Sequence, residues 1–115
     1  MADQNTAVDV AVLRELQDIM EDEFSDLLAT FLRDSDEKLI ALGRNLNDGD
    51  PGAFGKTAHS LKGSAINIGA RQLSAICLKA ETAGKAGDLN AGPALVAEIA
   101  AELQQVQAAL RAYVD

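Results

Sequence analysis

Apolar residues recur every three or four positions along almost the whole chain, and the only interruptions are short breaks rich in Gly, Asp and Pro. That spacing is the period of a helix with one buried face, and it leaves little room for strands. Val12, Leu16 and Ile19 mark a short first helix from about Asp9, a candidate N-cap, to Met20. Phe24, Leu27, Leu28, Phe31, Ser35, Leu39, Leu42 and Leu46 mark a long second helix from about Asp22 to Asn47. "NDGDPG" ends it, with Gly49 as a left-handed C-cap, Asp50 as an N-cap and Pro51 as the first residue of a third helix.

The third helix runs to about Ile68 and closes at Gly69. A fourth spans about Ala70 to Ala86 with Leu73, Ile76, Cys77 and Ala80 inward, and "GDLNAGP" closes it. The fifth starts at Pro93 and carries Val96, Ile99, Leu103, Val106 and Leu110 on one face. Short connections make sequential helices antiparallel neighbours. The expected fold is all-α, an antiparallel up-and-down four-helix bundle with an additional short N-terminal helix across one end, in one domain over residues 1–115. Composition supports this: hydrophobic residues are 48% of the chain but aromatics only 3%, so the core must be aliphatic.

Charge narrows the partners. The formal net charge is −8 and the pI about 4.5, so the chain's field repels phosphate backbones and anionic lipid, and neither nucleic acid nor membrane is an expected partner. The N-terminal "MADQNTAVDVAVLREL" has no basic n-region and no long apolar stretch, which predicts a cytoplasmic protein. With one cysteine, Cys77, and one histidine, His59, there is no internal disulfide and no Cys/His zinc cluster, and no metal site is expected.

That single histidine lies in "AHSLKGSAINIG". Taking 100° per residue, Phe54, Ala58, Leu61, Ala65 and Ile68 cluster within about 40° of one direction, the core side of the third helix. His59 falls at roughly 140° from it, Gly63 at roughly 180°, Ile66 at roughly 120° and Lys62 at roughly 80°. The imidazole therefore points outward, with Gly55 one turn before it and Gly63 one turn after. An exposed glycine inside a helix costs about 1 kcal/mol relative to alanine. Bare turns on both sides of an exposed histidine make room for another molecule to approach.

A neutral imidazole nitrogen is a nucleophile near neutral pH, and phosphoryl transfer needs such a nucleophile with positive charge close by, which Lys62 can supply. The other ring nitrogen must then keep its proton, and a carboxylate on a neighbouring helix would fix that tautomer. Glu81, at the edge of the fourth helix's apolar stripe, is a candidate, although the same residue can equally be a solvated helix carboxylate. Ser60 and Ser64 diverge from His59, so a Ser–His–acid triad fails, and no GxxxxGK[ST] loop follows a strand, so ATP has no cradle. A small hydrolase using His59 as base would need a pocket that excludes water, which an open helix face does not offer.

"AHSLKGSAINIGARQLSAICLKAE" resembles the signature of histidine-containing phosphotransfer (HPt) domains, H-x-L-K-G-x-x-x-x-x-G followed by a helix of small and aliphatic residues with a Gln or Glu. His59, Leu61, Lys62, Gly63, Gly69, Leu73, Cys77 and Glu81 fill it in order. The resemblance implies a four-helix bundle with an additional N-terminal helix and a phosphorelay intermediate without ATP-dependent kinase activity. His59 would take a phosphoryl group on Nε2 from a receiver-domain aspartate or a hybrid kinase and pass it to a response-regulator aspartate. It further implies Lys62 as a charge stabiliser, Gly63 as the clearing for the partner, and Glu81 as acceptor of the Nδ1 proton, where many members have Gln.

The implied partners are response-regulator receiver domains and a sensor or hybrid histidine kinase. The chain itself would hold no cofactor, with Mg²⁺ on the receiver. Receivers dock on such domains through an apolar patch, expected here to draw on Ile66, Gly55, Leu13, Met20 and Phe24, although the last three can instead seal the end of the bundle. A monomer is expected, and the initiating Met leans toward a free-standing protein. A noncatalytic helical adaptor that binds a receiver without phosphotransfer is the alternative.

Overall fold

The computed structural model describes residues 7–113, so the outermost ends of the single domain expected over residues 1–115 lie outside the described residues. Helix α1 spans Val10–Met20, a 3-10 turn covers Glu21–Glu23, and α2 spans Phe24–Asn47. Three further helices follow: α3 (Pro51–Asn67), α4 (Arg71–Lys85) and α5 (Gly92–Arg111). Among the described residues there is no strand. Helices α2 to α5 form a ring in which α3 packs on α2 and α4, and α5 packs on α4 and α2, the up-and-down bundle that the short connections require.

The turn chemistry places these boundaries. Gly49 adopts φ 62°, a left-handed conformation that glycine reaches without a side-chain clash. One residue on, Asp50 accepts a hydrogen bond from the Ala53 N–H at 3.0 Å, capping α3 ahead of Pro51. At the other end of α3, Asp9 does two things. Its side chain caps α1 by accepting from Ala11 N–H at 3.0 Å, and its backbone N–H donates to the Gly69 carbonyl at 3.0 Å. The Arg71 guanidinium reaches the same Asp9 carboxylate at 2.9 Å, so α1 is pinned to the α3–α4 turn.

One apolar core runs through the bundle. Phe54, Ala58, Leu61 and Ala65 on α3, Leu73, Cys77 and Ala80 on α4, and Ile99, Leu103, Val106 and Leu110 on α5 are buried, in the faces expected from their spacing. Ile76 and Val96 are only partly covered. Burial pushes the Cys77 thiol up to about 12, so it stays protonated and acts as a small packing group. Ser35, on the apolar stripe of α2, is buried with its hydroxyl accepting from Gln107 Nε2 of α5 at 3.3 Å. That amide also donates to Asp36 at 2.7 Å, tying α2 to α5.

Helix α1 departs from expectation. Its buried residue is Leu13, with Leu16 and Met20 partly covered, while Ile19 stands exposed. Stripes 12-16-19 and 13-16-20 both have helical spacing, and the pinning at Asp9 selects the second. Nor does α2 begin at Asp22. Glu21 closes α1 with φ 52°, and the chain passes through the 3-10 turn before α2 starts at Phe24.

Candidate functional site

The site lies where α3 and α4 approach most closely. A Cβ built on Gly84 would sit 2.6 Å from the Gly55 Cα and N and 2.7 Å from the Pro51 carbonyl oxygen, so the two helices touch backbone to backbone there. Gly55 is buried in that contact. This corrects its expected part in the docking patch: the wheel of α3 alone placed Gly55 outward, but the outward direction at this position is the direction of α4.

One turn beyond Gly55, the short interhelical distance lets side chains span the gap. Glu81 Oε2 of α4 lies 2.9 Å from Nδ1 of His59, and the imidazole is otherwise open to solvent, with 67% of its side chain exposed. A carboxylate only accepts, so Nδ1 carries the proton and the lone pair is left on Nε2. Glu81 itself is buried and so is not the solvated helix carboxylate that its sequence position also allowed.

Three cationic or hydrogen-bonding groups converge on that carboxylate. Lys62 Nζ is 2.7 Å from Oε1, which has no hydrogen-bond partner otherwise, and Lys85 Nζ is 3.1 Å from Oε2. The Lys62 ammonium, and after it His59 and Lys85, hold the Glu81 carboxyl down at about 2, against the upward push of burial. Glu81 is therefore ionised near neutral pH. Lys62, expected to supply positive charge near the ring, is only 21% exposed, and its ammonium is paired with Glu81.

The structure separates the remaining candidates. Gly63 is exposed, with nothing within 4 Å of a Cβ built on it, and Ile66 is 58% exposed one turn further along. Both share the outer face of α3 with His59. Leu13 and Phe24 do not belong to an exposed patch: both are buried, and Phe24 packs edge-to-face on Tyr113 with ring centroids 6.2 Å apart. Met20 is half-buried against the same core. These three seal the end of the bundle, because the turn at Glu21 folds α1 back over the start of α2.

Sequence reasoning missed Lys85, Lys56 and Gly84. With Gly52, Gly55, His59 and Glu81 they line an open hollow of about 520 Å³ beside the imidazole. Lys85 was detectable as the i+4 neighbour of Glu81. Gly84 was detectable only as a partner for Gly55, which requires the register between α3 and α4. Among the described residues no group of three or more His, Cys, Asp or Glu side chains comes together to hold a metal ion.

Comparison with known proteins identifies the fold. The Hpt domain family model matches residues 26–109. Histidine-containing phosphotransfer protein B from Pseudomonas aeruginosa PAO1, a solved crystal structure, superposes with a TM-score of 0.91 at 38% sequence identity, covering 95% of each chain. The comparison with curated proteins returned no match. The chain belongs to the Hpt domain family. As the fold and that likeness together define it, the protein is a histidine phosphotransfer intermediate of a two-component phosphorelay, a phosphocarrier. No helix among the described residues is long and apolar enough to cross a membrane.

Proposed function

We propose that His59 is the phosphoacceptor and that Glu81 holds it ready. The observation that carries this is the pairing of Nδ1 with the buried Glu81 carboxylate on an imidazole whose side chain is 67% exposed. In the forward step the Nε2 lone pair attacks the phosphorus of a receiver aspartyl phosphate. The acyl-oxygen–phosphorus bond breaks, the Nε2–P bond forms, and the receiver carboxylate leaves with the electron pair. No proton has to move. The ring becomes an imidazolium that keeps its Nδ1 proton, and the Glu81 carboxylate offsets the new positive charge. The reverse step restores the lone pair to Nε2 when a second receiver aspartate takes the phosphoryl group.

The partners are receiver domains and the sensor or hybrid kinase that supplies them, and Mg²⁺ belongs to the receiver's side of the transfer. The chain passes phosphoryl groups on but does not draw them from ATP. Gly63 and Ile66 form the face that the receiver meets, one by leaving space and the other by offering an apolar contact. Incubation with a phosphorylated receiver and Mg²⁺ should label the chain with an acid-labile, alkali-stable phosphoryl group. Labelling that persists in His59→Gln overturns the assignment, and receiver binding that survives without labelling of the natural sequence would make the chain an adaptor instead.

A further inference from the structure

With His59 as the phosphoacceptor, on which any role of its neighbours in holding the group depends, a phosphoryl group on Nε2 brings about two negative charges to the outer face of α3. The chain already carries a net charge of −8, so a nearby cation is needed to hold them. Lys62 and Lys85 are both paired with Glu81, Lys62 at 2.7 Å with little exposure and Lys85 at 3.1 Å with an exposed side chain. Lys56 differs from both in having no carboxylate within ion-pair distance among the described residues; it is exposed and lies one turn before His59 on α3.

Lys56 and His59 line the same hollow, which has Gly52, Gly55 and Gly84 for its small-residue walls and Glu81 and Lys85 completing it. No side chain on those three glycines competes for the space. On its other side Lys56 borders a recess that it shares with Glu37 and Lys38 of α2, so Glu37 is the carboxylate placed to compete for it. We propose that this hollow is the seat of the phosphoryl group once it is on His59, and that Lys56 is the cation that binds its oxygens. Lys62 then acts as a positioning residue, keeping Glu81 aimed at Nδ1.

The charged groups around the phosphoryl oxygens are thus Lys56 and Lys62 from α3, Glu81 and Lys85 from α4, and Glu37 and Lys38 from α2 behind Lys56. The test loads the full chain with phosphoramidate. Nε2 displaces ammonia from the protonated reagent as its P–N bond breaks and the Nε2–P bond forms. The second ionisation of the bound phosphoryl group is then followed by ³¹P NMR across pH. Lys56→Gln should raise that midpoint by about 0.8–1 pH unit, the effect of removing a unit charge about 3–4 Å from the oxygens in a water-like dielectric. Lys56→Arg should restore it, and Lys79→Gln, on an exposed part of α4, should leave it where it was.

A midpoint in Lys56→Gln no higher than in Lys79→Gln overturns the role of Lys56. Circular dichroism melts of both variants check that the bundle is intact. Failure of the natural sequence to take a phosphoryl group on His59 from either phosphoramidate or a phosphorylated receiver is a distinct result: it removes His59 as phosphoacceptor, and the seat with it.

Discussion

Gly55 of α3 and Gly84 of α4 meet with no side chain between them, and the hydrogen bond between His59 and Glu81 is built one turn after Gly55 on α3 and one turn before Gly84 on α4. The separation of the helices at the glycines sets how far Glu81 must reach. The two positions are not equivalent. A methyl group on Gly84 would meet backbone at 2.6–2.7 Å, whereas one on Gly55 would meet it at 3.4–3.6 Å. Gly84→Ala should therefore destabilise the bundle by about 2–3 kcal/mol, the range of overpacked sites, and Gly55→Ala by less than about 1 kcal/mol. Urea unfolding of the two variants measures this directly, and equal midpoints would show that α3 and α4 can part without penalty.

Much of this geometry is legible in the sequence, for reasons that the same residues explain. "NDGDPG" encodes a C-cap, an N-cap and a first helical proline in consecutive positions, and local chemistry of that kind does not depend on the rest of the chain. His59 could be placed outward because five apolar residues of α3 agree on where the core is. What fails is anything that needs a second helix. Gly55 looks bare from α3 alone and is buried by Gly84. Lys62 sits at the edge of the helix wheel, and its long stem carries the ammonium across to Glu81. Leu13, Met20 and Phe24 look available until the turn at Glu21 lays α1 against the start of α2.

The tautomer of His59 depends on Glu81, and the two substitutions of that residue should separate geometry from charge. Glu81→Ala removes the Nδ1 acceptor, so the ring should shift toward the Nε2–H form that places the proton on the attacking nitrogen. ¹⁵N shifts of the imidazole report this directly, and transfer from a phosphorylated receiver should fall at least about tenfold. Glu81→Gln keeps an acceptor oxygen. It should preserve the Nδ1–H tautomer and slow transfer less, while no longer offsetting the imidazolium charge. An Nδ1–H ring in Glu81→Ala would show that something other than Glu81 sets the tautomer.

Acid should weaken the bundle through the same carboxylate. Glu81 titrates at about 2 in the folded chain against an ordinary 4.5, so folding favours its ionised form. The stability this confers is complete above about pH 4.5 and is lost as pH falls through about 2. Glu81→Gln has no such titration. The stability of the natural sequence relative to Glu81→Gln should therefore shrink steadily between about pH 5 and pH 2. Glu102, whose carboxyl burial pushes upward, is present in both chains and cancels in the difference. Denaturant unfolding at a series of pH values tests the slope, and a constant difference would contradict the ionised, hydrogen-bonded Glu81.

Gly63 should trade stability against access. With open space around its Cα and a position inside α3, Gly63→Ala should stabilise the bundle by about 1 kcal/mol through helix propensity. A larger residue such as Gly63→Gln should keep part of that gain and slow transfer from a receiver, because it fills the clearing beside His59. Phosphorylation by phosphoramidate, a small donor, should be much less affected. Equal slowing with both donors would point to a distorted helix rather than a blocked approach.

Ile66 and Phe24 provide the sharpest contrast between a contact surface and a sealed core. Ile66 is exposed on the face of α3 that carries His59, and Ile66→Asp adds a charge to solvent without opening a cavity, so its melting temperature should stay close to that of the natural sequence. Receiver-dependent phosphotransfer should nonetheless fall at least about tenfold if, as proposed, the receiver buries an apolar contact at Ile66. Phe24→Ala should do the reverse. It empties a buried site next to Tyr113 and should cost about 3–5 kcal/mol of stability, while transfer measured at a temperature where the variant remains folded should change little. Transfer kinetics and urea unfolding on both variants distinguish the roles, and a large transfer defect in folded Phe24→Ala would return the end of the bundle to the docking surface.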